Sequence, residues 1–160
     1  MTSIYLEKAE SVHDRLYEIL SAALNAPVEI KRTENGKPYL EGNPLFFSIS
    51  HSGEKAVICV DESPVGIDLE LYKNKRHMPV IERFSDEEQA EILSEKDFLY
   101  HWTAREAFIK MRGGTLANDL KSTAYYGGNL YFEGERQDVV LSFYDFGFGV
   151  AAVCIEKENL

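Results

Sequence analysis

The chain has 160 residues and a formal net charge of −10, with 44% apolar and 28% charged residues. A charge this negative excludes general nucleic-acid binding, which requires a basic surface, and it means that an anionic ligand must be met by local cations or by a metal. The length and composition predict a globular protein with one hydrophobic core, or with two small lobes that share one.

The start of the chain and its cysteines indicate a cellular location. Residues Met1–Lys8 lack the basic and apolar segments of a signal peptide, and the longest apolar stretch, 139–155, contains Asp145. We therefore predict a cytoplasmic protein without membrane contact. Cys59 and Cys154 lie in apolar strand-like runs without metal-ligand spacing, which favours buried, reduced thiols over a disulfide.

The predicted elements begin with a helix over residues 9–24, ended by Asn25-Ala26-Pro27. A strand at 28–32 and a turn at 34–38 follow. The remaining predicted strands are 45–50, 56–61, 65–71, 121–126, 129–132, 139–144 and 149–156. Residues 78–112 have a helical pattern, with Ser85 as an N-cap, a long helix from about 95 to 111, and Gly113-Gly114 at its end. This order predicts an α+β fold with helices packed on a mainly antiparallel sheet.

Two acidic patterns contain most of the functional information. In a strand, Asp68 and Glu70 point to the same face; in a helix, Glu106 lies one turn from both Trp102 and Lys110. Three carboxylates and one ammonium from two neighbouring elements would suit Mg²⁺ and a phosphate. The alternatives are the polar face of an amphipathic strand and a helix-surface ion pair. Gly66 favours the metal interpretation because a glycine there indicates close approach of another backbone.

A second candidate site is the run Phe47–Gly53, in which a strand enters a turn rich in hydroxyl groups. Serine hydroxyls, backbone N–H groups and the imidazole of His51 would form a phosphate-binding loop. Taken by itself, the run is better explained as an ordinary turn whose serines bond to their own backbone. Gly36-Lys37-Pro38 by itself indicates only a turn.

In chain order, five motifs together resemble those of the Sfp-type 4′-phosphopantetheinyl transferase family. They are Gly36–Leu40, Phe47–Ser52, Val65–Glu70, Arg83–Ser85 with Glu87 and Glu88, and Trp102–Lys110 with Gly113 and Leu116. The resemblance covers about residues 30–120. It implies an α+β fold of two similar halves related by a pseudo-twofold axis, with a reduced first half at 1–62 and a second half at 63–160 that holds the metal site.

The resemblance also implies an activity. Such an enzyme transfers the 4′-phosphopantetheine group of coenzyme A to a serine of an acyl or peptidyl carrier protein and releases adenosine 3′,5′-bisphosphate. By resemblance, Asp68, Glu70 and Glu106 would hold Mg²⁺ on the pyrophosphate. Glu106 would also be the base for the serine hydroxyl, and Lys110 would stabilise the transferring phosphate.

The same resemblance assigns a coenzyme A site. Ser50 and His51 would hold its phosphates together with Lys110, and Lys37 with Pro38 would line the nucleotide end. A basic group after the metal strand is the expected landing site for the acidic helix of a carrier protein. Its members are Lys73, Lys75, Arg76 and Arg83. Both sides of the cleft lie in one chain, so a monomer is expected.

The chain departs from the family pattern at three positions and at its front. Arg105 stands where lysine is common, Ser48 where asparagine is usual, and Thr115 where a second glycine is frequent. Fuller members have a longer stretch before the first matching helix, with basic residues that grip the 3′-phosphate of coenzyme A. The available substitutes are Arg15, Lys31 and Arg32. An alternative function is therefore a weakened homologue that binds coenzyme A or carrier protein without transfer.

Overall fold

Two three-stranded antiparallel sheets dominate the computed structural model, which describes residues 2–157. Over these residues the strands are β1 (Ser3–Lys8), β2 (Ile30–Arg32), β3 (Pro38–Leu40), β4 (Phe46–Ser52), β5 (Lys55–Asp61), β6 (Val65–Leu71), β7 (Thr123–Tyr126), β8 (Asn129–Phe132), β9 (Glu135–Arg136), β10 (Val139–Asp145) and β11 (Gly149–Glu156). The α-helices are α1 (Val12–Leu24), α2 (Met78–Ile81), α3 (Asp86–Glu91), α4 (Glu95–Arg112) and α5 (Leu116–Asp119). None of the helices in this part of the chain is long and apolar enough to cross a membrane. The predicted α+β class is confirmed.

The first sheet has β5 at its centre, paired antiparallel with β1 on one side and β4 on the other. Helix α1 packs on it because Val12, Leu16 and Leu20 share one face and are buried. This helix ends at Asn25, as predicted, and Asn25 has a left-handed φ of 51°. Strand β1 is absent from the predicted strands. Its own pattern is weak, with Leu6 still 46% exposed, and it becomes a strand by pairing with the distant β5.

The second sheet has β11 between β6 and β10, and α4 lies across it. Gly66 of β6 makes this close packing possible. A Cβ atom at Gly66 would lie 2.0 Å from the carbonyl oxygen of Ala107 and 2.4 Å from the amide nitrogen of Met111. A larger residue would push the helix away from the strand, so the close backbone approach predicted at this glycine is confirmed.

One buried apolar cluster belongs to both sheets. Val57 and Cys59 of β5 pack there with Ile67 of β6 and Val153 of β11. Cys59 and Cys154 are both free and buried, as predicted, and burial raises the pKa of each thiol to about 12. The two sheets therefore share a core, and the line where β4 meets β6 lies at their junction.

The predicted helix caps agree with the structure, and one strand boundary differs from prediction in an informative way. The helical stretch 78–112 divides into α2, α3 and α4, with Ser85 capping α3 and Gly113 ending α4, as predicted. The strand predicted at 45–50 extends to Ser52 as β4, so His51 lies in a strand opposite Ala56 and not in a turn. Serine and glycine signal a turn locally, but pairing with β5 keeps the chain extended until Gly53.

Candidate functional site

Three carboxylates from β6 and α4 converge at one point. Asp68 and Glu70 come from the strand and Glu106 from the helix. One carboxylate oxygen from each residue lies within 4.8 Å of the other two. Strand alternation sets Asp68 and Glu70 on one face, and Gly66 allows the backbone of α4 to approach that strand. The structure therefore brings together the three acids that the sequence pattern singled out.

Asp68 is the most buried of the three acids, at 1% exposed. Its Oδ1 accepts hydrogen bonds from Lys110 Nζ at 2.9 Å and from the hydroxyl of Ser50 at 3.2 Å. Its Oδ2 is also buried and has no hydrogen-bond partner among residues 2–157. An unpaired buried carboxylate oxygen is costly, and a cation between the three acids would remove that cost. Oxygen ligands of this kind fit a hard divalent cation such as Mg²⁺.

The surroundings of Glu106 favour its protonated form. Burial and then the adjoining Asp68 carboxylate raise the pKa of Glu106 to about 10, against the opposing charge of Lys110. Burial and then Asp68 raise the pKa of Glu70 as well. A cluster without a cation therefore retains a proton at neutral pH, and a divalent cation would displace that proton as it binds.

Trp102 provides a fluorescent probe beside the acidic cluster. It is the single tryptophan of the chain, and its indole N–H, as a donor near the Glu70 side chain, opposes the rise that burial causes in the pKa of that carboxyl. Its ring stacks on Phe98 and Phe84 at centroid distances of 6.0 Å and 6.5 Å. A change in the position of the Glu70 carboxylate therefore changes the environment of the indole.

We expect the addition of Mg²⁺ to change the intensity or wavelength of tryptophan emission, because a shared cation would draw Glu70 toward the other two acids. The measurement is a fluorescence titration of the purified protein. Asp68→Asn, which removes a ligand but leaves the Trp102 contact, should abolish the response, whereas Glu87→Gln on the exposed face of α3 should preserve it. Emission that stays constant while calorimetry shows Mg²⁺ binding would contradict the expected coupling.

Two lysines lie against the edge of β6 beside the carboxylates. Lys110 Nζ donates to Asp68 and, at 3.1 Å, to the carbonyl of Ile67. Lys37 Nζ donates to the carbonyl of Val65 at 3.2 Å and to that of Lys110. Burial and then the charge of Lys110 lower the pKa of Lys37 to about 8. An ammonium has three N–H donors, so each lysine keeps one for a ligand.

Two cavities adjoin these lysines. The first, of about 260 Å³, is lined by three cationic residues, Arg32, Lys37 and Lys110, together with Asn35, Ser48 and neighbouring backbone. The second, of about 400 Å³, also reaches Lys37 and is lined mainly by apolar residues that include Pro38 and Phe46. Three cations on one cavity, in a chain of charge −10, suit an anionic group beside an apolar recess.

The two candidates on β4 occupy different environments. Ser50 is 6% exposed, and its hydroxyl accepts from the Leu69 N–H at 3.0 Å while donating to Asp68. His51 points to the opposite face of β4 and is exposed. It is not among the residues that line the two cavities. The structure thus brings Ser50 to the acidic cluster and leaves His51 at the surface.

A buried ion pair joins α3 to α4 at the residue before Glu106 and is not predicted by the sequence pattern. Glu88 is 0% exposed and accepts from both Arg105 Nε, at 2.9 Å, and Arg105 Nη2. His101 Nδ1 lies 3.3 Å from the same carboxylate, and the guanidinium covers the ring of Phe84 at 3.9 Å. Burial raises the pKa of Glu88, but the hydrogen bonds from His101 and Arg105 outweigh it and lower the pKa overall. The pair joins α3 to α4 next to Glu106.

The predicted basic landing site divides into two surfaces. Lys75 and Arg76 line a groove of about 410 Å³ whose walls include Met78 and Leu93, which are 45% and 87% exposed. Arg83 lines a separate cavity near the start of β7. Only the first surface therefore combines cations with exposed apolar side chains.

Comparison with known proteins connects this geometry to a family. Residues 64–133 match the family model of the 4′-phosphopantetheinyl transferase superfamily. The matched segment begins just before β6 and ends just after β8. It therefore includes all three acids, Lys110, and the Glu88–Arg105 pair.

Curated relatives extend the similarity beyond that segment. The chain is 41% identical over 96 residues to the 4′-phosphopantetheinyl transferase psf-1 of Bacillus pumilus. The aligned region covers 55% of this chain and 41% of the relative. It is 36% identical over 107 residues to AcpT of Salmonella typhi, covering 61% and 56%. It is 34% identical over 103 residues to Sfp of Bacillus subtilis strain 168, covering 59% and 46%. The chain thus spans about half the length of the curated relatives it matches.

Proposed function

We propose that this chain, whose residues 64–133 match the family model of the 4′-phosphopantetheinyl transferase superfamily, transfers the 4′-phosphopantetheine group of coenzyme A to a serine of an acyl or peptidyl carrier protein. The reaction depends on Mg²⁺ and releases adenosine 3′,5′-bisphosphate. The observation that carries the proposal is the convergence of oxygens from Asp68, Glu70 and Glu106, together with a buried Asp68 oxygen that has no hydrogen-bond partner among the described residues.

In the proposed reaction, the carrier serine oxygen bonds to the phosphorus that bears the pantetheine arm, and the bond from that phosphorus to the bridging oxygen of the pyrophosphate breaks. Asp68, Glu70 and Glu106 would hold Mg²⁺, and the ion would neutralise charge on the pyrophosphate. Glu106 accepts the proton of the serine hydroxyl through its second oxygen. Lys110 donates its remaining N–H to the transferring phosphate.

The proposed coenzyme A site consists of Lys37, Pro38, Ser50, His51 and Lys110. Lys37 and Lys110 line the cationic cavity, and Pro38 lines it as well as the apolar one. Ser50 lies beside Asp68 with its hydroxyl engaged, and His51 would meet a phosphate from the exposed face of β4. Both cavities are lined by residues of β4 and by the end of α4, which supports binding between the two sheets.

Arg32 is the best candidate for the 3′-phosphate among the three basic substitutes. Its guanidinium donates to the carbonyl of Gly36 at 2.9 Å and lines the cationic cavity. Arg15 is bonded to Glu7 and Glu18, and Lys31 to Glu41. Of these three residues, only Arg32 lines the cavity and has guanidinium N–H groups that are not bonded to a carboxylate.

We further propose that residues 1–62 and 63–160 are the two related halves of this fold. In support, each half contributes a three-stranded antiparallel sheet with one long helix packed on it, α1 in the first and α4 in the second. One chain supplies both sides of the acidic cluster and its cavities, which supports a monomer.

The direct test incubates the purified protein with coenzyme A, Mg²⁺ and several apo-carrier proteins, and follows the carrier mass. We expect the gain of one phosphopantetheine group, lost when Mg²⁺ is chelated or in Asp68→Asn. Binding of coenzyme A without transfer to any carrier would favour the weakened homologue instead. Absence of both binding and transfer would reject the proposal.

Charge reversal in the groove, by Lys75→Glu with Arg76→Glu, should raise the KM for carrier protein about tenfold or more, because an acidic helix would lose its electrostatic partner. The Kd for coenzyme A should stay unchanged. Arg136→Glu with Lys157→Glu makes the same change of charge at exposed positions elsewhere and serves as the control. Equal effects of the two double variants would show that net charge, and not this groove, decides carrier binding.

A further inference from the structure

The junction of the two sheets is held by side chains that bond to the edge of β6. On this edge the N–H of Ile67 donates to the hydroxyl of Ser48 at 3.0 Å, and the N–H of Leu69 donates to that of Ser50 at 3.0 Å. Lysine side chains supply the matching donors to the β6 carbonyl groups. Hydroxyl and ammonium groups thus take the place that a neighbouring backbone strand has in a continuous sheet.

Ser48 and Ser50 each accept a hydrogen bond from a backbone N–H of β6, but they differ in their contact with Asp68. Both are buried, at 4% and 6% exposed, and both accept a β6 amide. Only Ser50 also donates to Asp68 Oδ1, at 3.2 Å. Among the described residues, Ser48 has no hydrogen bond to that carboxylate.

The contacts of Asp68 show why the second task matters. Rotation about the last side-chain bond of an aspartate is broad and soft, so the direction of its two oxygens must be set by partners. Ser50 and Lys110 both bond to Oδ1 and so set the direction of the carboxylate, whose Oδ2 has no hydrogen-bond partner among the described residues. Lys110 is a long side chain that the proposed reaction also uses, whereas Ser50 is short and fixed in β4.

We infer that Ser50 is a positioning residue, whose hydroxyl fixes the Asp68 carboxylate so that one oxygen faces the metal position. The inference rests on the proposed function because it concerns the same metal site. The role inferred for the Ser50 hydroxyl is to orient a side chain of the protein itself, and it does not depend on contact with coenzyme A. A partner that orients a metal ligand in this way is worth about 10–100-fold in metal affinity.

The test is calorimetric titration of Mg²⁺ into the full chain, without coenzyme A or carrier protein. Ser50→Ala should weaken Mg²⁺ binding about 10–100-fold. Ser48→Ala is the matched control, because it also leaves one buried β6 amide without its acceptor. It should lower stability by a similar amount and leave Mg²⁺ affinity unchanged.

A second pair keeps the test decisive if Ser50→Ala does not fold. Ser50→Thr and Ser50→Val have nearly the same shape and both suit a strand, but only threonine has the hydroxyl. We expect Mg²⁺ affinity to be kept in the threonine variant and lost in the valine variant. Equal weakening by Ser48→Ala and Ser50→Ala, or unchanged affinity in Ser50→Ala and Ser50→Val, would overturn the inference alone. Absence of Mg²⁺ binding by the unaltered protein would overturn the proposed function and this inference with it.

Discussion

Glu106→Gln is expected to lower the rate of transfer by at least about 10²–10⁴-fold and to stabilise the metal-free protein near pH 8. The loss of rate follows because the amide neither accepts the serine proton nor binds Mg²⁺ as a carboxylate does. The gain in stability follows because an amide has no ionised form, so it does not pay the cost of placing a charge beside Asp68. These opposite effects in one variant distinguish a functional acid from a structural one.

The pH dependence of stability gives the sign of this effect. The pKa of Glu106 is raised from 4.5 to about 10 in the folded protein. Between these values the folded protein binds more protons than the unfolded chain, so the free energy of unfolding falls as pH rises. The fall is at most about 1.4 kcal/mol per pH unit. Above pH 8, Lys37 opposes it because its pKa is lowered to about 8, so pH 5–8 is the informative range.

The measurement is urea unfolding of the metal-free protein at several pH values from 5 to 8. The unaltered protein should lose stability across this range, and Glu106→Gln should lose much less. Saturating Mg²⁺ should also reduce the loss, because a cation replaces the retained proton. Glu87→Gln, on the exposed face of α3, should behave like the unaltered protein. A variant at Glu106 with the original pH dependence would show that the proton is held elsewhere.

The periodicity of side chains within one strand or one helix was sufficient to predict the parts of the site that lie on a single element. Alternation along β6 puts Asp68 and Glu70 on one face, and helical spacing puts Glu106 one turn before Lys110. Gly66 indicates close packing before any coordinates are known, and the structure confirms it. Each of these features depends on residues that are neighbours in the sequence, so a single chain reveals them.

Features that depend on distant pairing could not be predicted in the same way. Strand β1 exists because β5 offers it an edge, and no pattern within residues 3–8 shows that edge. The Ser50 contact with Asp68 requires two strands of different sheets to meet without a backbone ladder. Its serine is indistinguishable in sequence from a serine in a turn, which is why the hydroxyl-rich run by itself favours an ordinary turn.

The burial of the charged residues Glu88 and Arg105 could not be predicted from the sequence either. Each looks like an exposed helix residue, since Glu88 lies in an acidic first turn and Arg105 lies within a charged helical segment. Burial of both becomes evident only when α3 packs against α4. A buried charge pair contributes less to net stability than its contacts suggest, but removal of one partner leaves the other charge buried alone.

Arg105→Ala is therefore expected to lower the free energy of unfolding by about 3–5 kcal/mol, a large share of the 5–15 kcal/mol typical of a domain. Arg105→Lys, which introduces the residue common in the family, keeps the charge but cannot bond to both oxygens of Glu88. It should cost about 1.5–3 kcal/mol, the size of one charged hydrogen bond. Urea unfolding near pH 7 measures both.

The pH range separates this pair from Glu106. The pKa of Glu88 is lowered, so its contribution to stability is present above the ordinary value of 4.5 and is lost as pH falls below it. The difference between Arg105→Ala and the unaltered protein should thus be largest near pH 7 and shrink in acid. Lys31→Ala, which breaks an exposed pair with Glu41, should leave unfolding unchanged. A cost for Arg105→Ala as small as that for Lys31→Ala would show that α3 and α4 hold Glu106 in place without this ion pair.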